Sequence, residues 1–316
     1  MFAFVFMLIA GFFPLLFLLI YASYVLKHKE RYSEERRFSL AKKIIHTCEF
    51  FSNTSPRFFG LENLPPKETG YLLIANHQGK YDALAVISAM ENPLGVLMET
   101  HQAGKFGVRQ VMGLLDGENI DLTRPRQQLR IIRRIGERVR DGAHFLVFPE
   151  GGYVDNHNSI LNFHNGCLFS AYLARCPIVP VLLVDTYRSM NRNNIFAHVK
   201  PEVHFLPPIP YEAYKDLSRE ETTQMVRGIL IQKMTERLAE RGETYVPRDM
   251  DAPMPKAARK AYEAELRANA KNAGVKQDER PQSGKVPSRE TAPPEEPPHE
   301  QTSAPLPDDA RKANGG

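Results

Sequence analysis

The chain has 316 residues, with 41 Lys or Arg against 37 Asp or Glu, for a formal net charge of +4. That length without a dominant repeat suits one sizeable domain with extensions, and so small an excess is far from the dense basic field of a nucleic-acid binder. The three cysteines, Cys48, Cys167 and Cys176, are odd in number and lack metal-ligand spacing, which argues against a disulfide framework and fits a reducing, cytosol-facing compartment.

Residues 2–26 carry no charge. At about 1.5 Å per residue, 25 helical residues exceed a hydrocarbon core of about 30 Å, so residues 1–26 are expected to form a transmembrane anchor. The segment lacks the basic leader and the short apolar core of a signal peptide. Residues 27–58 form a basic juxtamembrane segment. Seven Lys or Arg fall within residues 27–43, which places the body of the protein on the cytoplasmic side of a single-pass anchor. Leu40, Ile44, Cys48 and Phe51 recur at helical spacing, so this stretch reads either as an amphipathic helix on the bilayer or as an ordinary core-facing helix.

Residues 59–247 alternate strand-like and helix-like runs. The strands are "YLLIANH", "LGVLMET", "NIDLTR", "HFLVFPE", "IVPVLLVD" and "EVHFLPP". The clearest helix is "QQLRIIRRIGERVRDG", with Leu129, Ile132, Ile135 and Val139 as its apolar stripe and Asp141-Gly142 as its end. This alternation predicts an α/β fold, a mostly parallel sheet covered by helices. Pro180 interrupts an apolar strand and marks an edge, a bulge or a strand start. From Arg248 to residue 316 there is no Phe or Ile, one Tyr, and many Pro. Lys and Arg number twelve there, as do Asp and Glu, so the tail is neutral and reads as disordered. The positive excess therefore belongs to residues 1–247, beside the apolar segment, and points to an anionic lipid surface more than to nucleic acid.

The chemistry gathers at strand tips. "NHQGKYD" follows the apolar "YLLIA". Five residues at about 100° each separate His77 and Asp82 by roughly 140° on a continuous helix, so they can meet only across a strand–turn–helix. "FPEGG" closes a second strand and holds Glu150 beside Gly151, a glycine that lets backbone N–H groups approach a ligand. Arg124 ends a third strand-like run and suits a phosphate oxygen fork.

Together, in this order, these segments resemble the glycerolipid acyltransferase family of the 1-acylglycerol-3-phosphate acyltransferase type. The family's Asn-His-x4-Asp is matched by Asn76, His77 and Asp82. Its second motif ends in Asp-Arg; here Ile120, Leu122 and Arg124 fit, with Thr123 where Asp is usual. Its Phe-Pro-Glu-Gly-Thr-Arg is matched from Phe148 to Gly151, but Gly152 and Tyr153 replace Thr-Arg. Val179, Pro180 and Val181 match its Val-Pro-Val strand, and "FHNG" stands at its Phe-x-x-Gly turn. The resemblance covers roughly residues 59–238.

What the resemblance implies is transfer of a fatty acyl group from an acyl-carrier-protein or acyl-coenzyme A thioester to the hydroxyl of a lysophospholipid. The acceptor is of the 1-acylglycerol-3-phosphate type or another lyso-lipid, and the reaction belongs to phospholipid biosynthesis. His77 is expected as general base and Asp82 as its orienting partner. Asn76, Lys80, Arg124, Glu150 and Gly151 are expected to bind substrate. The partners expected are donor, acceptor and membrane lipid, with no nucleic acid, no metal and no cofactor. Two other readings stand beside this one. A metal-dependent hydrolase would use His77 and Asp82 as ligands and draw further ones from His157 or His164. A membrane-anchored lipid-binding protein would bind lipid without any need of His77.

Overall fold

The computed structural model describes residues 2–190 and 197–252, with side chains described from residue 13 onward. In chain order the elements are α1 (Phe2–Lys27), α2 (Glu34–Phe51), β1 (Arg57–Phe59), β2 (Tyr71–Ala75), α3 (Asp82–Ala89), β3 (Gly95–Glu99), α4 (Thr100–Ala103) and α5 (Val108–Leu114). Then follow β4 (Glu118–Ile120), α6 (Pro125–Arg140), β5 (His144–Val147), α7 (Phe169–Ala174), β6 (Ile178–Val184), β7 (Glu202–Phe205) and α8 (Arg219–Ala239).

The strands form one sheet in the order β1-β7-β6-β2-β5-β3-β4. Five run parallel, while β7 pairs antiparallel with β6 and carries β1 parallel to itself. The alternation of β2 divides the core in two. Tyr71, Leu73 and Ala75 join the layer of α1, α2, α3 and α5, and Leu72 and Ile74 join the opposite layer of α6, α7 and α8. The mostly parallel sheet covered by helices is therefore as the alternation predicts.

Four expectations meet the structure with different outcomes. The span expected over residues 1–26 is not found: among the described residues no helix is long and apolar enough to cross a membrane. The last turns of α1 belong to the domain. Leu19, Ala22 and Val25 are buried in its core, and a Cβ on Gly113 of α5 would meet Leu26 at 2.8 Å, so the two helices touch at a glycine. For α2 the core-facing alternative is the one observed, with Phe38, Leu40, Ile44 and Ile45 buried against that same layer.

The third concerns α6. Its buried residues are Ile131, Ile132, Ile135, Gly136 and Val139, whereas Leu129 is 46% exposed. Each step of three residues turns 60° past the previous position, so Leu129 stands about 120° from Ile135 and leaves the core side. For Pro180, in an interior strand, the bulge alternative is the one observed. It pairs with Ile74 on one side and on the other sits between the Val181–Phe205 pair and the Ile178–Ile209 bridge, across which the register slips by one residue, and it offers its carbonyl to Leu206 N–H. A bulge is where a residue without N–H costs least.

The chain divides into two units, Met1–Asn269 and Ala270–Gly316. Most of the tail expected to be disordered lies outside the described residues. Its first residues, however, are bound to the domain: Arg248 donates to Asp155 O, Asn162 N–H to Met250 O, and Arg227 pairs with Asp249.

Candidate active site

Parallel pairing of β2 with β5 and with β6 brings three strand ends to one edge of the sheet. Asn76 and His77 continue β2, the 148–151 turn continues β5, and Asp82 opens α3. Pairing of strand ends thus brings His77 to Glu150, 73 residues away in the chain.

Asp82 is completely buried, and its Oδ2 accepts His77 Nδ1–H at 2.6 Å, Gly79 N–H at 2.8 Å and Gln78 N–H. A carboxylate at the first position of a helix also faces the positive end of the helix dipole. With Nδ1 as the donor, the neutral form of the ring presents Nε2 as its acceptor. The imidazole is held on two further sides. Phe148 stacks on its face at 4.4 Å between ring centroids, and Tyr153 meets it edge-on at 4.7 Å. About a fifth of the His77 side chain remains exposed.

The backbone of His77 is gripped at both ends. Its N–H donates to Glu150 Oε1 at 2.8 Å, and its carbonyl accepts from Asn156 Nδ2 at 3.0 Å. Asn156 Nδ2 also reaches Ser159 O at 2.7 Å, which ties the 151–160 loop to the site. A second strap lies alongside: Gln78 donates to Asn158 Oδ1 and accepts from Thr186, while Asn158 donates to Asp185.

Glu150 has no exposed surface, and among the described residues its Oε2 has no hydrogen-bond partner. Burial pushes its pKa from the ordinary 4.5 up to about 8, although the backbone N–H groups of His77 and Leu161 pull the other way. At neutral pH it is therefore mostly a neutral acid beneath His77. Gly151, next in the turn, has φ +68, a conformation suited to glycine, and its N–H closes the turn on Phe148 O. A Cβ there would meet the His164 ring at 3.2 Å.

The expected site residues therefore separate. His77, Asp82, Glu150 and Gly151 assemble at one tip. Asn76 is adjacent but fully buried, and its amide bridges Leu183, donating to the carbonyl at 3.1 Å and accepting the N–H at 2.8 Å. Asn76 and Glu150 are both fully buried, the first on the backbone of β6 and the second on the backbone of His77. Lys80 is exposed in the same turn as His77.

Arg124 does not end a strand. β4 stops at Ile120, and Arg124 caps α6, exposed, with Asp121 3.3 Å away. Three strand intervals separate β4 from β2, about 14 Å at ordinary spacing. The sequence reading missed Asn156 and Tyr153. The only signal for the first is an Asn-rich run, "DNHNS", after the glycine turn. His157 is engaged elsewhere, 2.8 Å from Asp155 and stacked on Tyr187. Among the described residues no group of three His, Cys, Asp or Glu is placed to hold a metal.

Residues 55–184 match a family model described as Acyltransferase. The chain is 30% identical over 166 residues to a probable 1-acyl-sn-glycerol-3-phosphate acyltransferase of Mycoplasma pneumoniae, covering 51% of this chain and 61% of that protein. It is 27% identical over 175 residues to a chloroplastic 1-acyl-sn-glycerol-3-phosphate acyltransferase of Brassica napus, covering 53% and 48%. The match thus spans less than two thirds of each of these relatives. A solved 1-acyl-sn-glycerophosphate acyltransferase, PlsC from Thermotoga maritima, superposes with a TM-score of 0.57 at 21% identity, over 74% of this chain and 95% of that one, a likeness of fold.

Proposed function

We propose, from the match of residues 55–184 to the Acyltransferase family model, that the chain moves a fatty acyl group from a thioester to the hydroxyl of a lysophospholipid. The observation that carries this reading is the His77 Nδ1–Asp82 Oδ2 bond at 2.6 Å, at the end of a central parallel strand, with Nε2 left as an acceptor. In the proposed step Nε2 takes the acceptor's hydroxyl proton as the oxygen attacks the thioester carbonyl. The tetrahedral intermediate then expels the thiolate, which receives that proton back from the imidazolium. Asp82 fixes the tautomer and stabilises the imidazolium. The thioester is already activated, so a positioned base, worth about 10²–10⁴-fold, needs no covalent acyl-enzyme.

The 2.6 Å bond supports Asp82 in this role, and the double grip on the His77 backbone supports a fixed base. For an acceptor phosphate, Lys80 is the nearer cation because it shares the turn with His77. Arg124 must reach across about 14 Å of sheet edge. The apolar residues Phe17, Ile20 and Tyr24 are exposed along α1 and would rest on the membrane that holds the acceptor. The reading is tested by acyl transfer to a panel of lyso-acceptors with wild type and His77→Ala. His77 is at a strand tip, so its loss leaves the fold intact and lowers transfer at least a hundredfold. Near wild-type kcat in His77→Ala with every acceptor would overturn it.

A further inference from the structure

The segment that follows α8 is tied to the loop that grips His77. Ser159 Oγ donates to Val246 O at 2.7 Å, Ile160 N–H to Tyr245 Oη at 3.3 Å, Asn162 N–H to Met250 O at 3.0 Å, and Arg248 to Asp155 O at 2.9 Å. All four bonds fall on residues 155–162, the stretch that carries Asn156 and Asn158. Arg227 of α8 adds to them, donating to the carbonyls of Ile160 and Leu161 while it pairs with Asp249. A loop held this way opens only when several bonds break together.

Arg241, two residues past the end of α8, makes the deeper connection. One of its nitrogens lies 2.6 Å from Glu202 of β7, and another donates to Asp185 Oδ2 at 2.8 Å. Asp185, just past β6, has φ +61, a left-handed conformation that a non-glycine residue keeps where its surroundings hold it. Its other carboxylate oxygen accepts from Asn158 Nδ2 at 3.0 Å, and its N–H donates to Asn158 Oδ1, also at 3.0 Å. Asn158 Oδ1 accepts in turn from Gln78 Nε2 at 3.0 Å, and Gln78 N–H donates to Asp82 Oδ2. Three residues, Asp185, Asn158 and Gln78, therefore link Arg241 to the carboxylate that orients His77. Compensation of the buried Glu202 does not account for this placement, because Arg57, Arg237 and His204 meet that carboxylate too. What Arg241 alone does among them is span from Glu202 to Asp185.

We propose that Arg241 is a positioning residue of the active site and that residues 241–250 form the strap that carries it. Through Asp185 and Asn158 it fixes the turn at Gln78, whose N–H holds the Asp82 carboxylate toward His77 Nδ1. The consequence for catalysis rests on the acyl transfer proposed above, whereas the grip of the strap on the turn does not.

The test uses the full chain and compares Arg241→Gln with Arg237→Gln. Both remove a cation from Glu202, and only the first also releases Asp185. The expected result is a fall of at least tenfold in kcat for Arg241→Gln with the acceptor KM within twofold, and a kcat within twofold of wild type for Arg237→Gln. Asp185→Gly leaves Glu202 untouched and suits the left-handed backbone, so it should lose at least fivefold in kcat even where Arg241→Gln fails to fold. Asn158→Ala breaks the same route, and adding Arg241→Gln to it should lower kcat less than threefold further. Equal losses in the two arginine variants, or an unchanged kcat in Asp185→Gly, would overturn the proposal. Amide hydrogen exchange of residues 77–79 and 155–162 is measured in parallel and should quicken at least tenfold in Arg241→Gln and not in Arg237→Gln. A wild type that transfers no acyl group sinks the activity reading, and exchange then decides the strap: rates unchanged by Arg241→Gln and by Asp185→Gly would refute it.

Discussion

Glu150→Gln tests whether the acid beneath His77 is neutral in the folded protein. The substitution keeps a carbonyl to accept the His77 N–H and removes the only titration at that position. Burial pushes Glu150 up to about 8, against 4.5 when free. A raised acid binds its proton more tightly folded than unfolded, so stability is greatest below about pH 4.5 and is lost as pH rises toward 8. The slope in that window is about −1.4 kcal/mol per pH unit, and the whole loss amounts to roughly 5 kcal/mol. Between pH 5 and 8 the glutamine variant should therefore gain roughly 4 kcal/mol on wild type, on the order of 10 °C in Tm for a domain of this size. Thermal unfolding of both proteins in detergent across that range measures it. Melting curves that shift in parallel, within about 2 °C at every pH, would refute a neutral Glu150.

Asp82→Asn retains an acceptor for the N–H groups of Gln78 and Gly79 but presents an amide to the imidazole. The expectation is a fall of about 10²–10⁴-fold in kcat with the protein still folded, measured by initial rates and circular dichroism. Asn76→Ala should act on stability. It leaves the buried N–H of Leu183 without its partner, which costs about 1–3 kcal/mol, or roughly 2–10 °C in Tm. Asn156→Ala releases the His77 carbonyl, a bond worth about 1 kcal/mol, so kcat should drop roughly fivefold while the acceptor KM stays within twofold. An unchanged kcat would show that the grip on His77 is redundant.

What the sequence determined by itself is whatever acts over a few residues. Apolar runs marked β2, β3, β5, β6 and β7, and their alternation with helices implied a largely parallel sheet. The five-residue spacing of His77 and Asp82 required a turn between strand and helix, where the two do meet. Tertiary structure decided the rest, because burial and hydrogen-bond partners depend on which distant strands become neighbours. Only the alongside strand β6 gave the Asn76 amide its backbone partners, and only the approach of the β2 end buried Glu150 on the His77 N–H. Asn156 gained its role only when a loop 79 positions away folded over His77. Leu129 illustrates the limit within one helix: periodicity located the stripe, but only packing against the sheet decided which edge of it stayed in water. The same holds for α1, where apolar length suggested a free span and contacts with α2 and α5 drew its last turns into the core, since the side of an apolar helix that meets protein is chosen by its partners.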